Sequence, residues 1–248
     1  MIRDLHRPRG RERRGLALAE GVRLVEEVLA AGVECRAVVV SPALGGTERG
    51  RALRAALESA GPVTETTDDE LAQLAATEHP QGVVAVIVPK RWTLDDIVIG
   101  PSGVVVVLDA LQDPGNVGTI VRTALALGGK GVVTLPGTAD LENPKTMRSA
   151  MGATFRLPAL RSEERTLREW LDRHRVTVAA TAMEGQPFDR ARLTGPLALV
   201  FGNEGAGLTS ELGRNAKLTV SIPLEPGAES LNVAVAAGIF LYGACRDR

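Results

Sequence analysis

The chain has little of what marks a secreted, metal-binding or membrane protein. Its 248 residues include only two cysteines, Cys35 and Cys245, and neither has a histidine nearby at the spacing of metal ligands. We therefore expect no disulfide framework and no metal site, and a reducing cytoplasm as the location. The longest apolar runs, such as 83–88 and 104–108, are far shorter than the roughly 20 residues of a membrane helix, and no basic-then-apolar leader opens the chain. A soluble protein with no membrane partner is expected.

Aromatic residues and net charge are also scarce. Aromatics make up 3% of the chain, which leaves no interleaved stacking platform of the kind that binds single-stranded RNA. The net charge of −1 argues against a protein bound everywhere to nucleic acid. The charge is nevertheless uneven, since the first 14 residues hold six arginines against Asp4 and Glu12. These are Arg3, Arg7, Arg9, Arg11, Arg13 and Arg14. Such a basic arm either binds phosphates or is a solvated tail, and both interpretations stay open.

The order of apolar and breaking segments predicts two domains. Residues 15–88 read as a compact α/β unit, in which helical spacing over 20–31 ends at a glycine and a capping box at Thr67 and Glu70 opens a short helix. Residues 89–102 combine two prolines with several charges and are predicted to be a linker. The predicted domains are therefore 1–88, including the basic arm, and 103–248.

Strands and helices alternate from residue 103 onward. The strand segments are runs of Val, Leu and Ile without polar alternation, as in 104–108 and 197–201. Such runs suit strands that are covered on both faces, which indicates a largely parallel sheet. The fold class is therefore α/β throughout.

Three polar blocks follow strands of this sheet: 113–122, 201–207 and 221–232. Ligands bind at the carboxyl ends of strands in open α/β sheets, so three such blocks indicate one shared site. The glycines at 202, 205 and 207 match neither a dinucleotide fingerprint nor a P-loop. A Rossmann-type dehydrogenase fits the strand and helix alternation but lacks this glycine spacing.

Taken singly, the polar residues of the blocks have ordinary interpretations. Asn116 follows a Pro-Gly turn and could be a helix N-cap, and Arg122 could be a solvated helix residue. Ser230 could cap the last helix, and Asn232 would then lie in its first turn. The glycine segment could be a flexible turn. These alternatives remain beside the functional ones.

The order and wording of the blocks resemble the three motifs of the SpoU/TrmH family of RNA ribose 2′-O-methyltransferases, the SPOUT class, almost continuously over 103–244. The resemblance implies S-adenosylmethionine as the cofactor, no metal, RNA as the substrate and a homodimer. It also implies a mostly parallel sheet whose last segment, about 200–244, forms a deep trefoil knot, an exception to ordinary chain topology. Ribosomal RNA is the expected target; a transfer RNA methyltransferase and a non-catalytic RNA-binding protein on the same fold are the alternatives.

The resemblance also assigns roles to residues. The implied catalytic residues are Asn116, Arg122, Glu204, Ser230 and Asn232. Contacts to the cofactor, mainly through backbone, are implied for Gly202, Ile222 and Leu231, with Thr181 and Ala182 as weaker candidates. Glu204 is expected to hold Arg122 or the polar network in place. Because arginine does not lose its proton in proteins, Arg122 is expected to stabilise a forming alkoxide or to clamp a phosphate.

The first unit carries a weaker resemblance, to the small substrate-binding domain that precedes many members of the family. It rests on 19–21, Ala-Glu-Gly, and on 79–83, His-Pro-Gln-Gly-Val. This implies a fold like that of small ribosomal RNA-binding proteins. Residues 143–152 resemble a family segment beside the active site, where Lys145 and Arg148 either grip the RNA backbone or form an ordinary helix surface.

Overall fold

The structure, a computed structural model, describes residues 1–191 and 195–246, apart from the side chain of Arg190. Contacts divide the chain into two compact units. The first is Met1–Lys90 with Asp140–Arg156, and the second is Arg91–Ala139 with Leu157–Arg248.

Strands and helices of both units are numbered here in chain order. The strands are β1 (Ala17–Glu20), β2 (Cys35–Val40), β3 (Thr64–Glu65), β4 (Val83–Ile87), β5 (Val104–Leu108), β6 (Gly131–Thr134), β7 (Ala159–Arg161), β8 (Thr177–Pro187), β9 (Leu197–Phe201) and β10 (Leu218–Ser221). The helices are α1 (Ile2–Leu5), α2 (Pro8–Arg14), α3 (Val22–Ala30), α4 (Glu48–Ala60), α5 (Asp68–Ala72), α6 (Pro114–Leu127), α7 (Pro144–Ala150), α8 (Glu164–Arg173), α9 (Glu211–Arg214) and α10 (Val233–Arg246).

The first unit is built on a four-stranded mixed sheet in the order β1-β4-β2-β3. Alternate residues of β4 point to opposite faces, as strand geometry requires. Val83 and Ile87 join a core with α3 and α4, whereas Val84 and Val86 join a second core with α1 and α5. The capping box predicted at the start of α5 is confirmed, with Thr67 and the glutamate three residues later bonded reciprocally.

The segment 140–156 packs in the first unit. Met147 and Phe155 are 2% and 1% exposed and lie in the same core as α3 and α4. At Gly152, which has φ of +80°, an added Cβ would lie 2.5 Å from the Cβ of Glu27. Packing thus places 140–156 in the first unit and 91–102 in the second. The sequence-based boundaries had placed 140–156 in the C-terminal domain and 89–102 in a linker.

The basic N-terminal arm is two short helices, not an extended tail. The side chain of Arg11 is 1% exposed, and its Nη2 lies 2.5 Å from Oδ2 of Asp140 while Nη1 donates to the carbonyl of Leu5. Arg13 and Arg14 both pair with Asp4, and this pairing, led by the hydrogen bond from Arg14, lowers the pKa of the Asp4 carboxyl. Arg11 is therefore a structural residue that no phosphate reaches.

The second unit has six parallel strands in the order β10-β8-β9-β5-β6-β7, which confirms the predicted α/β class. Every residue of β5, at the centre, is at most 1% exposed. Trp170 of α8 is fully buried in the core on one face. On the other face, Phe240 of α10 stacks edge-on against Phe201 of β9, with ring centroids 5.9 Å apart.

The last part of the chain crosses the sheet. After β9 beside the central strand, β10 lies at the far edge next to β8, and α10 returns to pack on α6. The deep knot implied by the resemblance stays a prediction. No helix in 1–191 or 195–246 combines the length and apolar character needed to cross a bilayer.

Candidate active site

Two of the three polar blocks, 201–207 and 221–232, line one cleft of the second unit, about 590 Å³ in volume, where β9 and β10 end beside β8. All five residues predicted to contact a cofactor line it: Thr181, Ala182, Gly202, Ile222 and Leu231. Three of the five predicted catalytic residues line it as well: Glu204, Ser230 and Asn232. The fold therefore brings these eight residues to one cleft, and their catalytic and cofactor-binding roles stay a prediction.

Apolar side chains that the sequence analysis did not single out complete the wall of the cleft. They are Met183, Phe201, Leu208, Leu224, Val233, Ala236 and Phe240. Phe240 lies two helical turns after Val233, so both lie on the same face of α10. The helical period of the last segment could therefore have predicted that Phe240 is buried.

A chain of side-chain amides and a carboxylate links the three blocks. Nδ2 of Asn232 donates to Oδ1 of Asn116 over 3.1 Å, and Nδ2 of Asn116 donates to the carboxylate of Glu204. These bonds join residues 116 and 88 positions apart in sequence. Glu204 thus holds the polar network, one of its two expected roles, and its described partner is Asn116.

The helix caps differ from the sequence-based interpretation. Asp113 caps α6 by accepting from the backbone N–H of Gly115 at 2.7 Å, so Asn116 lies inside the first turn and is free to bond across the site. Asn232 caps α10 by accepting from the N–H of Ala234 at 2.9 Å. The alternative role of Ser230 as the cap is not seen, because α10 begins at Val233, two residues later than the pattern indicated. Asn232 therefore has two tasks, a cap with its oxygen and a link with its nitrogen.

Arg122 is exposed on α6 and is not part of the cleft wall. It follows Asn116 by six residues, which places the two side chains about 120° apart around the helix axis. Within residues 1–191 and 195–246 its guanidinium makes no hydrogen bond or ion pair. The structure therefore separates Arg122 from the amide and carboxylate chain and leaves its donors available to a ligand.

The glycine-rich segment 202–207 is an ordered loop, not a flexible turn. Oδ1 of Asn203 accepts from the backbone N–H groups of Gly205 and Ala206, both at 2.9 Å, and its Nδ2 donates to the carbonyl of Ala110 at 2.9 Å. Backbone bonds in both directions between Asn203 and Gly207 close the loop. One asparagine side chain thus shapes the loop from inside.

Glycine is required at 202 by close backbone approach. An added Cβ would lie 2.5 Å from the carbonyl carbon and oxygen of Gly207 and 2.7 Å from the nitrogen of Leu208. No real Cβ tolerates such distances from backbone atoms, so the loop would have to open. Gly202 allows the loop to fold back on itself, and the folded loop forms the cleft floor.

Asp109 is a structural residue of the site that the sequence analysis missed. It is 1% exposed, directly follows β5 and accepts three hydrogen bonds. Two come from the backbone N–H groups of Thr209 and Ser210, both at 2.7 Å, and one comes from the Thr209 hydroxyl at 2.6 Å. A carboxylate buried with three donors anchors the segment after the glycine loop. Its position at a strand end was the available signal.

The charge of the cleft restricts its ligand. Among the described residues that line it, Glu204 is the only charged side chain, and none is Lys or Arg. Phosphate groups are usually held by arginine, lysine or a helix N-terminus. The lining therefore suits a neutral or cationic ligand better than a dinucleotide or ATP.

A parallel α/β sheet with a ligand-sized cleft at its strand ends, preceded in sequence by a small α/β unit, is an architecture typical of two-domain α/β enzymes. The chain belongs to the SpoU rRNA Methylase family, whose model matches residues 103–242. An MRM3-like substrate binding domain model matches residues 1–85. The family expected from the motifs and the N-terminal substrate-binding domain are both confirmed.

Several relatives match over nearly the whole chain. The 23S rRNA (guanosine(2553)-2′-O)-methyltransferase RlmP of Bacillus subtilis is 34% identical over 241 residues, covering 97% of this chain and 92% of the relative. An uncharacterized tRNA/rRNA methyltransferase of Synechocystis is 32% identical, covering 100% of this chain and 90% of the relative.

Solved structures agree with these relatives. The SpoU methyltransferase AviRb of Streptomyces viridochromogenes, in complex with AdoMet, superposes with a TM-score of 0.87 at 29% identity, covering 99% of this chain and 95% of AviRb. An AdoMet-bound rRNA methyltransferase of Sinorhizobium meliloti superposes with a TM-score of 0.83 at 31% identity, covering 99% and 93%. The described fold is thus that of SpoU methyltransferases.

Proposed function

We propose that this protein transfers a methyl group from S-adenosylmethionine to a ribose 2′-hydroxyl of ribosomal RNA. The observation that carries the proposal is the cleft lined by the second and third blocks, whose Glu204 and Asn232 are hydrogen-bonded to Asn116 of the first block. The name of the Bacillus relative, which specifies 2′-O-methylation of 23S rRNA, supports the choice of substrate. The AdoMet in the AviRb complex supports the choice of cofactor.

The residues of the cleft fit this cofactor. The volume of about 590 Å³ lies within the range of small-ligand sites, roughly 300–1,000 Å³. Glu204 without a competing cation suits a ligand with a positive sulfonium, and the folded loop at Gly202 exposes backbone to an adenosyl group. Ile222 and Leu231 would hold the same group, with Thr181 and Ala182 beside it. When bound, the cofactor supplies a methyl group already activated on sulfur, so the proposed reaction needs no metal.

The polar residues would act on the ribose. The bonds among Asn116, Glu204 and Asn232 fix their side chains, so the site is organised before the substrate arrives. Ser230 lies in the same wall. Arg122 is exposed and outside the cleft wall, which supports contact with RNA instead of the cofactor. Its guanidinium would stabilise the forming alkoxide or clamp a neighbouring phosphate, and the hydroxyl proton would pass to water or a phosphate oxygen.

The proposed assembly is a homodimer formed through α10. Val235, Ile239 and Tyr242 are 52%, 44% and 52% exposed, and their spacing of four and three residues places them on one stripe. Apolar stripes of this kind on a helix surface usually mark an interface. Because α10 packs on α6, a dimer through this stripe would form close to the site.

The test is methyl transfer from labelled S-adenosylmethionine to ribosomal RNA isolated from cells that lack the gene. We expect label in 2′-O-methylated nucleosides after complete digestion. Transfer RNA from the same cells is assayed in parallel, because the Synechocystis relative is named a tRNA/rRNA methyltransferase. Label in transfer RNA alone would contradict the ribosomal target. Binding of RNA without any transfer would indicate a non-catalytic RNA-binding protein.

A further inference from the structure

The first unit contains a second cavity, about 210 Å³ in volume, which shares no described lining residue with the cleft. Its wall comes from the end of β1, the start of α3, the segment 77–81 and α7. Three sequence segments that the proposed reaction does not use, 19–21, 79–83 and 143–152, thus meet at one place. The cavity is small for a whole nucleoside cofactor and is large enough for one phosphate group with its flanking atoms.

A buried carboxylate organises one side of this cavity. Glu20 is 5% exposed and accepts hydrogen bonds from the backbone N–H of Ala76 at 2.8 Å and of Thr77 at 3.2 Å, as well as from the Thr77 hydroxyl. It also accepts from Nη1 of Arg148 at 3.3 Å. Glu20 is therefore satisfied by the protein itself and holds the guanidinium of Arg148 at the cavity wall.

Cationic and amide groups face the same cavity from the other elements. Arg148 keeps most of its five donors after the single bond to Glu20. Arg23 and His79 are exposed at the rim, and Arg23 has no ion pair within the described residues. Oε1 of Gln81 accepts from the first backbone N–H of α3 at 2.9 Å, which fixes the start of that helix against the cavity.

The balance of charge is positive. The wall has two arginines and one histidine against Glu20, whose acceptors are already engaged. The start of α3, whose first N–H is already bonded to Gln81, adds the positive end of a helix dipole. None of the described residues that line the cavity is Phe, Tyr or Trp, so these residues offer no surface on which a nucleobase would stack. An anionic group fits these features better than a base.

We propose that this cavity binds a backbone phosphodiester of the substrate RNA through Arg23, His79 and Arg148. The proposal rests on the proposed function, because it takes RNA as the substrate. The phosphate would lie between the two guanidiniums at the start of α3, a combination that binds phosphates in many proteins. Glu20, which also lines the cavity, is a positioning residue, since its oxygens accept from Ala76, Thr77 and Arg148 and thereby orient Arg148.

The test measures binding of the full-length protein to 23S rRNA from cells that lack the gene, over a series of potassium chloride concentrations. Arg23→Gln removes an exposed charge that makes no described ion pair, so the fold should be unaffected. We expect affinity to fall about tenfold, the order of one charge-assisted hydrogen bond. The slope of log affinity against log salt should fall by about 0.7 to 0.9. Arg23→Lys should keep the wild-type salt slope, because the ammonium group of lysine also pairs with a phosphate.

Two further variants control the experiment. Arg36→Gln removes the same charge from the same unit outside the cavity. The Arg36 side chain is 59% exposed and pairs with Glu34 at 3.0 Å, and its loss should change affinity less than twofold, because an exposed ion pair contributes little. Arg148→Gln should reproduce the loss of slope, with thermal melting and S-adenosylmethionine calorimetry to show that it folds.

Three outcomes would overturn the phosphate site. Equal effects of Arg23→Gln and Arg36→Gln would reduce the cavity to a solvated surface. A loss of affinity at Arg23→Gln with an unchanged salt slope would indicate a base contact. A melting change in Arg148→Gln without any change in RNA affinity would make that arginine structural only. The wild-type methylation assay separates failure of the phosphate site from failure of the proposed function. If the wild-type protein methylates the RNA and Arg23→Gln binds RNA as tightly as the wild type, only the phosphate site is refuted.

Discussion

Replacement of Asn232 separates its two tasks. Asn232→Ala removes the α10 cap, made to the N–H groups of Ala234 at 2.9 Å and Val235 at 3.3 Å, and also the 3.1 Å bond to Asn116. A lost cap costs about 1 kcal/mol of unfolding free energy and a lost side-chain bond about another 1 kcal/mol. Asn232→Ser retains a capping oxygen and loses the link, so the serine variant should lose only about 1 kcal/mol.

Methyl transfer should respond differently from stability. Both variants lose the hydrogen bond to Asn116. If this raises the activation free energy of methyl transfer by about 1 to 1.4 kcal/mol, the rate falls roughly five- to tenfold. The assay is single-turnover methylation of ribosomal RNA, paired with chemical denaturation of each variant. Both variants should therefore lose the same activity although their stabilities differ by about 1 kcal/mol.

The matched control is Thr47→Ala in the first unit. Thr47 caps α4 by accepting from the N–H of Gly50 at 3.0 Å, so its loss costs stability of the same order without touching the cleft. If Asn232→Ser methylates at the wild-type rate, or if Thr47→Ala is as slow as Asn232→Ala, the polar chain has no role beyond folding.

Three further predictions concern Arg122, the glycine-rich loop 202–207 and the proposed dimer interface on α10. Arg122→Lys keeps the charge but loses the planar guanidinium. Single-turnover methylation should slow by about a hundredfold, or about 2 to 4 kcal/mol, and calorimetry should show an unchanged affinity for S-adenosylmethionine. A near-normal rate would show that charge suffices. Gly202→Ala places a Cβ 2.5 Å from the Gly207 carbonyl, so calorimetry should show cofactor affinity at least about tenfold weaker, and unchanged affinity would mean that the loop yields without cost. Ile239→Glu should convert the dimer to a monomer in light scattering, whereas Val98→Glu, at a residue 82% exposed outside α10, should not. A wild-type protein that is monomeric at micromolar concentration would contradict the proposed interface.

The basic arm shows where composition misleads. Six arginines in fourteen residues suggested a row of phosphate contacts, but Arg11 is buried against Asp140, and Arg13 and Arg14 share Asp4. Charge density in sequence does not reveal which cations the fold has already paired, because a partner such as Asp140 comes from far along the chain. The cavity at Arg23 and Arg148 is less conspicuous in sequence, although Arg23 makes no described ion pair and Arg148 makes one bond to Glu20.

Local sequence was sufficient for the sheet and for two of the segments that line the cleft. Unbroken Val, Leu and Ile runs predicted the buried parallel strands, and the second and third polar blocks marked residues of the cleft wall, because both depend on patterns within about ten residues. Only the tertiary structure decided that Asn116 bonds Glu204 and Asn232, that Asn232 caps α10, and that Asp109 anchors the following loop. It also decided that 140–156 packs in the first unit. These contacts join residues far apart in the chain, and a side chain's partner across such distances is set by how the elements pack, which no local pattern encodes.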